Sequence, residues 1–214
     1  MLDLESDPRS NELMLARPAE IAMLAAYLRR AAEESCSTAT GLRAAEHDGL
    51  WHGDAADAFR RAIGRMPSRL DALHAGFRDA GAALSAYVAA LTRIQTAFGQ
   101  AIGVIQSWSA PIGPARVAAD TARVDLRQLL HRPGTRSSVI LAALQDVERA
   151  DGRLEDITDV VGRLHRSAYA LLDEFEHQRT ACGSQIAAAR RLAQAPPLEI
   201  RLGALTTSGL VPPA

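Results

Sequence analysis

Residues 59–105 read FRRAIGRMPSRLDALHAGFRDAGAALSAYVAALTRIQTAFGQAIGVI. Phe59, Ile63, Met66, Leu70, Leu73, Phe77, Leu84, Leu91, Phe98, Ile102 and Ile105 follow one another almost entirely at steps of three, four or seven residues. Steps of that size put apolar side chains on one face of a helix, and strict alternation is absent. The pattern therefore predicts one long helix over about 55–108, roughly 80 Å at 1.5 Å per residue, with Pro67 as the point where it kinks or is interrupted.

The neighbouring stretches follow the same rule. Upstream, Pro18 suits a first helical turn, and Ile21, Leu24, Leu28, Ala32, Ser35, Ala39 and Leu42 make a narrow stripe that ends near His47-Asp48-Gly49. The loop Leu50-Trp51-His52-Gly53 leads to Asp54, read as an N-cap. Downstream, Ala110-Pro-Ile-Gly-Pro114 breaks the pattern. A shorter helix is expected over 115–130, then a turn at His131-Arg-Pro-Gly-Thr135. From Val139 the stripe resumes through Ile140, Leu144, Val147, Leu154, Ile157, Val161, Leu164, Ala168, Leu171, Phe175, Cys182, Ile186 and Leu192, with Asp151-Gly152 the one place for a break.

The expected fold is all-α, an elongated antiparallel helical bundle built from two long helical hairpins. Its parts are an N-terminal arm (1–16), a first hairpin (17–109), a second hairpin packing on the first (115–195) and a Pro-containing tail (196–214). The 214 residues support one sizeable core, and aromatics make up only 4%, too few for a sheet builder.

Several function classes recede on composition. Twenty-four basic residues, all arginine, against 25 acidic ones leave a net charge of −1, so no global field draws nucleic acid or an acidic membrane. The first residues are acidic where a secretory signal needs positive charge. No window is expected to be long and apolar enough to span a bilayer, although Ile94 to Ala115 carries no charge. Burial at the bundle tip is the expectation for that segment, and contact with lipid or a partner through Trp108 the competing one.

Chemistry is equally sparse. His47, His52, His74, His131, His165 and His177 show no metal-ligand spacing, and the Glu46-His47-Asp48 cluster beside His52 falls at a helix end where polar residues are ordinary. There is no nucleophile elbow, phosphate loop or dinucleotide fingerprint. The expectation is no catalytic residue, no metal and no cofactor. Cys36 and Cys182 both fall near apolar stripes and are expected as buried thiols rather than a bridge.

The stretch Leu50-Trp51-His52-Gly53-Asp54-Ala55-Ala56-Asp57-Ala58-Phe59 resembles the W-x-G turn of the helical-hairpin proteins exported by bacterial type VII (ESX) secretion. In that family the turn is followed by small residues and a Phe on the second helix, as here. Members also carry a Y-x-x-x-D/E signal near the end of a hairpin. Tyr169-Ala-Leu-Leu-Asp173 matches it, one turn apart on one helical face, whereas Tyr87 is followed at the fourth position by Leu91.

The resemblance implies a non-enzymatic secretion substrate or delivery module acting through helical packing with a partner. Trp51, Gly53, Tyr169 and Asp173 would be its export or partner-recognition residues. Its implied partners are a small W-x-G-type helical protein or a second copy, the type VII export ATPase and, in some members, a toxin. It would be secreted without a cleaved signal peptide and cytoplasmic before export. The alternative is a cytosolic coiled-coil adaptor or self-assembling scaffold with no export role, in which Trp51 and Gly53 only plug the end of the bundle.

Overall fold

A computed structural model describes residues 4, 6–47 and 52–194, and among them every regular element is a helix. The elements are α1 (Pro8–Leu15), α2 (Pro18–His47), α3 (Asp54–Ile63), α4 (Met66–Ser109), α5 (Ile112–His131) and α6 (Ser137–Ala193). The all-α expectation is met.

Helix ends follow local chemistry. Asp7 caps α1 by accepting from the Arg9 amide at 2.9 Å, and Pro8 occupies the first turn, where a missing N–H costs nothing. The long helix expected over 55–108 is interrupted at Gly64-Arg65. Pro67 has no N–H to offer the Ile63 carbonyl, so it sits in the first turn of α4 instead of kinking a continuous helix. The break before α5 is shorter than expected, because Pro114 too is accommodated in a first turn. Between α5 and α6, Gly134 takes φ 81°, and the Thr135 hydroxyl donates to the carbonyls of Leu129 (3.1 Å) and Arg132 (2.8 Å). No break occurs at Asp151-Gly152. One glycine costs only about 1 kcal/mol, little beside the hydrogen bonds of a 57-residue helix.

The chain divides into two compact units. One comprises residues 1–18 with 89–179, the other 19–88 with 180–214. In the first, the fully buried large side chains are Leu13, Leu91, Ile94 and Leu172, from α1, α4 and α6. The Gln95 amide donates to the carbonyls of Leu13 (2.7 Å) and Ala16 (2.9 Å), supplying acceptors at the C-terminal end of α1 with a donor. Arg123 on α5 meets Asp151 on α6 at 2.8 Å, and Arg93 on α4 pairs with Glu174 on α6.

In the second unit, Ala25, Ala83, Leu84 and Cys182 form a buried cluster flanked by Ile21, Leu28, Tyr87 and Ile186. Arg43 pairs with Asp71, and His74 Nδ1 lies 2.9 Å from the Ala32 carbonyl, so α2 and α4 are antiparallel. Gly76 and Gly81 let backbones approach. A Cβ on Gly76 would lie 2.9 Å from the Ala189 carbonyl oxygen, and one on Gly81 would lie 3.2 Å from that of Ala25.

Buried positions repeat every seven residues within each long helix: Ala25, Ala32 and Ala39 on α2, Leu84, Leu91, Phe98 and Ile105 on α4, and Val161, Ala168, Phe175, Cys182 and Ala189 on α6. A seven-residue repeat is the spacing of knobs-into-holes packing. The expected stripes need correcting in register. On α2, Leu24 is half exposed and the alanine beside it is buried; on α6, Leu172 is fully buried and Leu171 only partly. The expectation of two buried thiols is also corrected. Cys36 is exposed, while Cys182 is buried 3.8 Å from the Ala83 carbonyl, its thiol pushed up by burial.

Candidate functional site

Trp51, with residues 48–50, lies outside the described residues. Gly53 is described and has φ 102° and ψ 176°, a conformation open to glycine and strained for other residues. It is the N-cap of α3, in place of the expected Asp54, and its carbonyl accepts from the Asp57 amide at 3.1 Å. Asp54 and Asp57 thus fall in the first helical turn, where carboxylates complement the helix dipole. No atom comes within 4 Å of where a Cβ on Gly53 would stand. On the same short helix Ala56 is fully buried, while Phe59 keeps 38% of its surface exposed.

Tyr169 and Asp173 lie one turn apart on α6, in the other unit. Tyr169 is half-buried and Asp173 exposed. Asp173 accepts from Arg9 Nη1 at 2.7 Å, and Arg9 also holds both carboxylate oxygens of Asp7, at 3.1 and 2.9 Å. These partners push the Arg9 guanidinium up, Asp7 first and Asp173 second, and the Arg9 hydrogen bonds hold the Asp7 carboxyl below its usual range. One residue on, Arg93 holds Glu174 below its usual range. A further turn along, Arg179 reaches Glu12 at 2.5 Å and Glu176 at 2.8 Å. The Y-x-x-x-D element is thus flanked by ion pairs that fasten α1 to α6. Sequence reasoning missed Arg9 and Glu12, although Asp7-Pro8 is a helix-start signature that marks α1.

Among the described residues, no group of three or more His, Cys, Asp and Glu side chains could hold a metal ion. The uncharged segment is part core and part surface: Ile94, Phe98 and Ile105 are buried, whereas Val104 and Trp108 are 42% and 44% exposed. The expectation that no window is apolar enough for a membrane span is corrected. A window within Asp54–His131 reaches a mean hydropathy of 1.2, sufficient by length and composition alone, and 22% of it is buried inside the fold.

Residues 2–198 match the family model described as "Putative T7SS secretion signal domain", where T7SS is the type VII secretion system. No curated protein and no solved structure matches the chain significantly.

Proposed function

This chain belongs to the family of T7SS secretion signal domains, and from that membership we propose that it acts without catalysis, as a type VII substrate or delivery module recognised through its helices. The Trp51–Gly53 turn, together with Tyr169 and Asp173, is what it presents to the export ATPase. Its apolar faces pack against a small W-x-G-type helical protein or a second copy, and a toxin travels with it where one is delivered. It leaves the cytoplasm without a cleaved signal peptide.

The observation that carries this reading is the conformation of Gly53. A family match over residues 2–198 coincides with a glycine held at φ 102° at the head of a helix that leaves its Phe59 partly exposed. A turn that served only to connect α2 and α3 would not need a tryptophan beside that glycine. Y-x-x-x-D supports it from the other unit, being partly accessible as a recognition element must be.

The test is secretion from a type VII host, compared with the same host lacking the export ATPase. Trp51→Ala with Gly53→Ala is expected to reduce export more than folding. A melting temperature that collapses in step with the loss of export would favour the structural-plug role, and secretion unaffected by the ATPase deletion would overturn the reading.

A further inference from the structure

The hairpin of α5 and the first part of α6, which lies within one unit, is only half covered. From Asp120 to Val160 no residue is buried. The apolar positions at helical steps, Leu126 and Leu129 on α5 and Ile140 and Val147 on α6, reach only intermediate burial. Val124, Leu130, Val139, Leu141 and Leu144 stand 43–58% exposed. Two helices cover one stripe each, and so many large apolar side chains on a single hairpin need a further layer.

Its charges say what that layer is. Residues 123–136, around the tip, carry four arginines against one aspartate; residues 146–159 of α6 carry six carboxylates against two arginines. Arg123 is satisfied by Asp151, and Arg149 by Asp146 in its own turn. Arg127, Arg132 and Arg136, and Glu148, Glu155, Asp156 and Asp159, have no ion-pair partner among the described residues. The centre of the acidic segment lies about 15 residues along α6 from the tip, roughly 23 Å at 1.5 Å per residue.

A two-fold contact needs a patch that is its own complement. Turned end for end, a second hairpin sets its basic tip beside the acidic segment of the first, and the reverse at the other end, with Leu141 and Leu144 near the midpoint. We propose that this face is the interface of a homodimer, in which the α5–α6 hairpins of two copies pack antiparallel as four helices. A face of roughly 30 by 20 Å gives on the order of 600 Å² per partner, the lower end for a specific interface. The dimer is therefore reversible and sensitive to salt. This deepens the partner part of the reading above but stands on the hairpin alone.

The test is sedimentation equilibrium of the purified full chain at low and high salt. The wild type is expected to dimerise, about tenfold more weakly at high salt. Arg132→Glu with Arg136→Glu, and separately Glu155→Arg with Asp156→Arg, should each weaken association at least about tenfold, because each homodimer then faces like charge with like at both ends. An equimolar mixture of the two variants restores opposite charges at both ends and should dimerise like the wild type. All four sites are exposed, and circular dichroism checks that the variants stay folded. A monomeric wild type, a dimer indifferent to either reversal, or a mixture that fails to recover association would each overturn the proposal. Since association is read on purified protein, it fails or stands separately from export.

Discussion

Arg9 donates from Nη1 to Oδ1 of Asp173 across 2.7 Å, so the N-terminal helix is fastened to the turn of α6 that carries the tyrosine motif. The pair is unequal. Arg9 also closes on Asp7, the N-cap of its own helix, whereas Asp173 has 72% of its side chain in solvent. The arginine serves α1 twice, and the carboxylate is the more expendable partner for folding.

Asp173→Ala should accordingly leave melting nearly unchanged, within about 1 kcal/mol, as for other exposed positions, whereas Tyr169→Ala removes a half-buried ring and should cost about 1–2 kcal/mol without unfolding the chain. Both are expected to lower secretion from the native host. Secretion at the wild-type level in both variants would reduce the Y-x-x-x-D match to a coincidence of letters.

Asp7→Ala should cost about 1 kcal/mol, because it removes both the cap and one of the carboxylates that hold Arg9. Hydrogen exchange is the measurement to make. Amides of α1 are expected to lose protection before those around Leu91 and Leu172, both fully buried.

The carboxyls of Asp7 and Glu174 are held below their ordinary values of 3.8 and 4.5 by Arg9 and Arg93. A carboxyl depressed on folding adds stability that is fully present above its unfolded pKa and is lost as pH falls through its folded one. The cap of α1 and the contact of α4 with α6 should therefore weaken only as pH falls below those ordinary values, the α4–α6 pair first. In an NMR titration, Arg93→Ala should return Glu174 toward the ordinary carboxylate range; an unmoved midpoint would remove Arg93 as the cause.

Two glycines of α4 should respond with opposite sign. Gly76→Ala puts a Cβ 2.9 Å from a backbone carbonyl that cannot yield cheaply, and is expected to destabilise by about 1–3 kcal/mol. Gly99 has open space around it, so Gly99→Ala should stabilise by up to about 1 kcal/mol through helix propensity. Urea denaturation of both variants separates close helix packing from propensity.

In native protein, one thiol, Cys36, should react readily with a thiol reagent, and the second only after unfolding. Cys182 is buried and its thiol pushed up, which lowers the thiolate population that reacts.

Sequence periodicity by itself determined the helical class and most helix limits, because a three-and-four spacing of apolar residues and the backbone limits of proline and glycine act within a few residues. Pro18 marks a helix start from the letters alone, Pro67 and the proline cluster after Ser109 mark interruptions whose exact limits the letters leave open, and Trp51-His-Gly53 and Tyr169–Asp173 stand out from their flanks. Register was beyond reach. Whether Leu171 or Leu172, Leu24 or Ala25, faces the core depends on how closely a second helix approaches, and Gly76 and Gly81 set that distance only against Ala189 and Ala25. Only the tertiary structure divided α4 and α6 between two compact units, joined Arg9 to Asp173 across 164 positions of chain, and left the α5–α6 hairpin uncovered. Those are long-range outcomes, decided by which apolar faces found each other and which did not.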